Sequence, residues 1–191
     1  MILSLMTGFV NSLMKNYPLK IHHIFTSPEH HYFTREKFDV GDAPTLEHDS
    51  IELKAGQGLK DDRFEFSKYP ITFFSLEVAQ EVCKNMDIEL DIKLFRRNII
   101  ISGIHLNSLI GKRFKIEGVE FEGLSHCAPC TWMNAVMKKG VYAQMRGRGG
   151  LRVKVIESGV LRCGESRLSS EMVLDENPLQ TLKRPKLPSY K

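Results

Sequence analysis

Phe114-Lys115-Ile116-Glu117-Gly118-Val119-Glu120-Phe121 decides the fold class. Apolar residues alternate with charged ones on both sides of Glu117-Gly118, the pattern of two half-buried strands joined by a tight turn. Upstream, Ile99-Ile100-Ile101 is a β-branched run that reads as a buried strand closed by Gly103. Downstream, Leu151, Val153 and Val155 alternate with Arg152 and Lys154, and Ser158-Gly159 turns the chain into Val160-Leu161. Further out, Leu19 to Phe25 reads as a strand ending at Ser27-Pro28. Ile51, Leu53 and Ala55 read as another, and Ile71 to Phe74 as a third. Residues 28–48 are polar and turn-rich, so a long loop is expected there. Ser75 caps a helix that puts Leu76, Ala79, Val82, Cys83 and Met86 on one face. Trp132 to Met137 has room for one or two helical turns. Many short strands with few helices predict a mainly β, barrel-like fold with helical embellishments.

The 191 residues suffice for one domain with a full core. Apolar content of 42% and charged content of 26% are those of an ordinary globular protein. A net charge of +4 suits an anionic small molecule and argues against nucleic acid, which needs a clustered basic face. The barrel domain is expected over residues 17–168. Residues 1–16 form an extension in which Ile2, Met6, Phe9 and Leu13 recur at helical spacing. That segment has no basic leader or small-residue cleavage site and is too short and polar to span a membrane. Residues 169–191 are polar, carry Pro178, Pro185 and Pro188, and read as a flexible tail. Four cysteines without a secretory signal point to free thiols in the cytoplasm.

The chemistry concentrates in two stretches. His126-Cys127-Ala128-Pro129-Cys130 holds two cysteines three apart. A zinc site would need a second paired motif, and Cys83 and Cys163 are isolated. A thioredoxin-like dithiol would need a βαβ setting, which the pattern does not show. Two small buried residues, or a functional thiolate with an assisting neighbour, remain as readings. About twenty residues on comes Arg146-Gly147-Arg148-Gly149-Gly150-Leu151-Arg152. Its arginines fork onto phosphate and its glycines permit close backbone approach. The other reading is a solvated turn. Gly56-Gln57-Gly58-Leu59-Lys60-Asp61-Asp62-Arg63 and Arg96-Arg97-Asn98 are two more arginine-bearing turns at strand ends. All three are expected to converge at one barrel mouth with Cys130.

Together these residues resemble the MOSC domain, the C-terminal domain of molybdenum cofactor sulfurase. The ordered set is Ile24 to His30, Gly58 to Phe64, Ile71 to Phe74, Phe95 to Ile99, Leu109 to Phe114, Cys127 to Met133 and Arg148 to Arg152. It covers roughly residues 20–166. The resemblance implies a β-barrel-like fold and a cysteine that ligates molybdenum of the pyranopterin cofactor or carries sulfur as a persulfide. Cys130 matches the molybdenum-ligand cysteine of amidoxime-reducing relatives, with Cys127 beside it. His30, Arg63, Arg97, Asn98, Arg148, Gly149, Gly150 and Arg152 would hold the phosphate and pterin of molybdopterin. Asp61 stands where the family has a second glycine, and aspartate tolerates positive φ better than most residues. Gly164-Glu165 stands for the usual Gly-Asp. Amidoxime-reducing relatives also carry an N-terminal β-barrel region, for which this chain has no room.

The expectation is a protein that binds the molybdenum cofactor or transfers sulfur through Cys130. No pyridoxal-binding lysine is evident, so a cysteine desulfurase partner would supply sulfur and a molybdoenzyme would accept it. A cofactor carrier without chemistry, or a redox dithiol of Cys127 and Cys130, are the alternatives.

Overall fold

The computed structural model describes residues 14–30, 43–68, 70–175 and 177–181. The strands are β1 (Lys15–Thr26), β2 (Leu46–His48), β3 (Ser50–Leu53), β4 (Ile71–Ser75), β5 (Ile99–Ser102), β6 (Arg113–Ile116), β7 (Val119–His126), β8 (Leu151–Glu157), β9 (Gly159–Arg162) and β10 (Gly164–Ser170). The helices are α1 (Leu76–Met86), α2 (Trp132–Val136) and α3 (Val141–Gln144).

The fold is mainly β. Seven strands close a barrel in the order β10-β6-β7-β8-β4-β5-β1, and β1 pairs back onto β10. β2 extends the sheet beyond β1, and β3 pairs with β9 alone. Closure depends on the length of β1. Its first half pairs with β10 and its second half with β5. The register shifts between Ile21 and His23, so His22 is a bulge that bends the strand around the barrel. The hairpin read from the sequence is β6–β7, with Ile116 opposite Val119. Glu117 and Gly118 both have positive φ, as a two-residue turn with the twist of its strands requires.

β4 and β5 are parallel, with α1 as their crossover. A βαβ unit is therefore present, contrary to the sequence pattern, but the cysteine pair lies after β7 and outside it. Ser75 Oγ caps α1 by accepting from the Val78 amide at 3.1 Å. Alternation on the central strands separates two apolar clusters. Ile71, Phe73, Ile99 and Ile101 point into the barrel, against Phe114, Phe121 and Val153. Phe74 and Ile100 point outward, against Val78, Val82, Phe95, Trp132 and Met133. The helices thus pack on one outer wall, and the barrel mouth beside them holds the site.

Both ends of the expected domain differ from the sequence reading. β1 starts at Lys15, inside the expected extension. β10 runs to Ser170, and the chain beyond stays on the barrel. Leu174 is buried, the Tyr17 hydroxyl bonds the Met172 carbonyl and the Leu174 amide, and His105 Nε2 meets the Gln180 carbonyl. These contacts hold the described part of the segment expected as a flexible tail against the barrel as far as residue 181. The expected helical spacing of Ile2 to Leu13 and the last ten residues lie outside the described residues, as does much of the expected 28–48 loop. Among the described residues no helix is long and apolar enough to cross a membrane.

Candidate functional site

A cavity of about 210 Å³ opens between the barrel mouth and the helical wall. Cys127, Ala128, Cys130, Trp132 and Met133 form one side. Arg63, Phe64 and His30 form another, and Thr72, Asn98 and Arg152 come up from the strand ends. Four arginines line it (Arg63, Arg96, Arg97 and Arg152), with no carboxylate among the described lining residues. Such a surface favours an anion.

Beneath it lies a polar hub built from four distant segments. Asn98 Oδ1 accepts from the Thr72 amide at 3.0 Å and from its hydroxyl at 2.8 Å. Asn98 Nδ2 donates to the Phe25 carbonyl and to Asp62 Oδ2, both at 3.2 Å. Asp62 also accepts from the Ser27 amide at 2.9 Å and the Phe64 amide at 3.0 Å. Both side chains are buried and their partners are protein groups, so Asn98 shapes the cavity floor. The Arg63 guanidinium donates to the Ser27 carbonyl, lies 3.6 Å from Asp62 Oδ2 and sits 4.9 Å from the Phe64 ring centroid. His30 meets that ring edge-on at 5.0 Å.

Arg97 is a brace. Its Nε donates to the Gly149 carbonyl at 2.9 Å, and its Nη atoms reach the carbonyls of Phe95, Arg96 and Ala128. It thereby ties the turn before β5 to the cysteine loop. Its neighbour Arg96, which the sequence reading placed in the same arginine turn, has φ of 55° and lies 5.3 Å over the Trp132 ring.

The cysteine loop is pinned from below. The Cys127 amide donates to the Gly150 carbonyl at 2.7 Å, and the Gly149 amide donates to His126 Nε2 at 3.1 Å. The accepting nitrogen is unprotonated, which puts the ring proton of neutral His126 on Nδ1. Cys127 is buried, whereas Cys130 is half-buried and opens on the cavity.

The structure brings together Cys130, Cys127, His30, Arg63, Arg97, Asn98 and Arg152, but it does not bring Arg148. Arg148 turns the other way, onto the Glu81 carboxylate and the Gln144 carbonyl, with its side chain 12% exposed. The expectation that it walls the cavity is corrected: Glu81 on α1 supplies a closer counter-charge. Gly149 and Gly150 offer no anion nest to the cavity either. The Gly149 amide is taken by His126, and both residues pack against backbone. Asp62, Thr72 and Trp132 carry the site's frame without having been singled out for it from sequence. The signal for Asp62 was its place two residues before Phe64, where an aspartate bonds its own downstream amide.

Burial pushes the Cys83 thiol up, and it does the same for Cys163, with Asp49 and Glu47 adding to the effect. Neither touches the cavity. Among the described residues no three His, Cys, Asp or Glu side chains gather as metal ligands.

Comparison with solved structures finds the same fold at low identity. The YuaD protein from Bacillus subtilis superposes with a TM-score of 0.66 at 17% identity, covering 82% of this chain and 98% of that one. YiiM from Escherichia coli gives 0.57 at 14% identity, covering 87% and 75%. YiiM from Geobacillus stearothermophilus also gives 0.57 at 14%, covering 79% and 74%. No curated protein matches the chain. A family model described as the MOSC domain matches residues 36–166, more than half of the sequence, and with the closed barrel it places this protein: the chain belongs to the MOSC domain family.

Proposed function

We propose that the chain binds the molybdenum cofactor (molybdopterin) in the arginine-lined cavity and carries sulfur on Cys130 as a persulfide. The observation that carries this reading is the half-buried Cys130 thiol opening on a cavity with four arginines and no described carboxylate. The residues fit the group. Arg63 and Arg152 supply charge for the pterin-phosphate, and Cys130 is a soft donor for molybdenum. Arg97, Asn98, Gly149 and Gly150 act one step back: they fix the loop and floor that hold those groups. When bound, the cofactor supplies a metal centre to which a thiolate can be offered.

Sulfur loading needs a persulfide donor, the role of a cysteine desulfurase partner. The Cys130 thiolate attacks the outer sulfur of the donor persulfide. A new S–S bond forms on Cys130, the donor's S–S bond breaks, and the donor cysteine leaves as thiolate. The proton on the transferred sulfur travels with it, so no oxidant is consumed. A molybdoenzyme would be the acceptor. All four cysteines are free, which suits a reducing cytoplasm. Carriage without chemistry needs only the arginines, and dithiol redox needs Cys127, which is buried.

The test is protein made in a cofactor-producing host. Molybdenum, pterin and cyanide-released thiocyanate are measured for the parent, Cys130→Ser and Cys127→Ser. The expected result is thiocyanate from the parent and Cys127→Ser, and none from Cys130→Ser. Pterin with no thiocyanate would leave a carrier, and neither would refute the reading.

A further inference from the structure

A second cavity, of about 280 Å³, lies along the cysteine loop. Cys127 and Cys130 line the first cavity, His126 and Pro129 line the second, and Ala128 lines both, so the loop is the wall between them. Tyr142, Arg146 and Gly147 face the loop across the second cavity. Arg146 opens the arginine-glycine loop, and the first cavity does not use it. We propose that the second cavity binds a small aromatic carboxylate, with the carboxylate on the Arg146 guanidinium and the ring against Tyr142 and Pro129. This site is separate from the one assigned to the cofactor and does not rest on that reading.

Three observations support it. The first is charge. The Arg146 side chain is exposed and makes no ion pair or hydrogen bond among the described residues; its guanidinium lies 5.3 Å from the centroid of the Tyr142 ring. Contact with a ring face draws on the charge and leaves the N–H donors open. No carboxylate stands among the described lining residues. One guanidinium carries one charge, so it matches a monoanion, and its paired donors fit the two oxygens of a carboxylate. The second is shape. Ala128, Pro129 and the Tyr142 ring make the walls largely apolar. A cavity of about 150 Å³ is enough to admit a benzene ring, so this one has room for a ring and its carboxylate. A flat ring also gains from an aromatic neighbour. The third is order in the walls. Asn134 Oδ1 accepts from the Gly140 amide at 3.1 Å and from the Tyr142 amide at 2.9 Å, which fixes the start of α3. Asn107 Nδ2 donates to the Gly147 carbonyl at 2.8 Å, and the Gly149 amide holds the His126 ring. A site formed in advance loses little to ordering when its ligand arrives.

The test titrates the full-length protein with benzoate, benzamide and acetate, followed by amide NMR. Benzoate is expected to bind about tenfold more tightly than benzamide, which has the ring without the charge, and than acetate, which has the charge without the ring. Its shifts should centre on Ala128, Tyr142, Arg146 and Gly147. Arg146→Gln should lower benzoate to the affinity of benzamide, and Arg146→Lys should recover part of the loss. Arg146 has no ion pair to break, and the amide spectrum of each variant reports its fold directly. Arg167→Gln, at an exposed arginine lining neither cavity, should leave benzoate affinity unchanged and so controls for net charge. Equal affinity for benzoate and benzamide overturns the proposal. So does benzoate binding that survives Arg146→Gln, and so do shifts centred on Asn98 and Arg152, which would put the probe in the first cavity.

Discussion

Gly149 lies directly beneath the Cys127 carbonyl. A Cβ at Gly149 would fall inside van der Waals contact of that oxygen and 2.9 Å from Pro129 Cδ. The glycine is there because the cysteine loop rests on it. Gly149→Ala is expected to lift the loop and cost about 1–3 kcal/mol, the usual penalty for overpacking. Urea denaturation measures the loss, and the alkylation rate of Cys130 reports the displaced loop. An alanine variant with the parent's stability would show that the loop yields freely.

Arg97→Lys should loosen the same loop from above. Lysine keeps the charge but cannot serve four carbonyls with one planar fork. The expected loss is about 1.5–3 kcal/mol, the range for hydrogen bonds to a charged group. Hydrogen exchange at the Cys127 amide should accelerate with it.

Arg148→Ala should leave anion binding intact, because Arg148 is paired with Glu81 away from the cavity. Its cost should be about 1 kcal/mol in stability, since the partly exposed Glu81 can be rehydrated. A double-mutant cycle with Glu81→Gln should recover a coupling of that order. Loss of phosphate binding without loss of stability would restore Arg148 to the site.

Thiol labelling should order the cysteines by exposure and environment. Cys130 should react first. Cys83 should react last at neutral pH, because it is buried and burial raises its pKa, so little thiolate forms. Competitive alkylation read by mass spectrometry decides this, and a Cys83 rate equal to that of Cys130 would contradict the packing of α1.

His22 gives a pH dependence. Burial, and then Lys20 and His23, lower its pKa in the folded state. The unfolded chain therefore takes up the proton first as pH falls below the ordinary histidine value. Its contribution to stability is complete above that value and declines as pH drops toward the folded pKa. Denaturant midpoints between pH 7 and pH 5 should fall less steeply in His22→Gln than in the parent.

Local rules made much of the barrel legible. Glu117-Gly118, the Ser75 cap and the Ile99–Ile101 run each act through their immediate neighbours, and each forms the expected element. Asp61, which stands where the resemblance puts a glycine, has φ of 63°. The site was legible as a set of residue types but not as a set of directions. Whether Arg148 faces the cavity depends on Glu81, which lies in a helix far back in the chain. Whether Gly149 exposes its amide depends on His126. The resemblance assigns Asn98 to the ligand, and only the positions of Phe25, Asp62 and Thr72 show the hydrogen bonds its amide makes within the protein. Pairings set by tertiary approach leave no periodicity to read.

The joining of β1 to β10 has a kinetic consequence. Lys15 pairs with Ser170 and Ile21 with Gly164, so the seam that completes the barrel links its first and last strands. During synthesis β1 must wait for nearly the whole domain before its partner emerges, exposing Leu19 and Ile21 meanwhile. Seams of such long sequence separation also carry a large loop-closure cost, which places folding in the slow, millisecond-to-second regime of barrels. The nascent chain should therefore be most exposed to chaperones and proteases just before β10 appears.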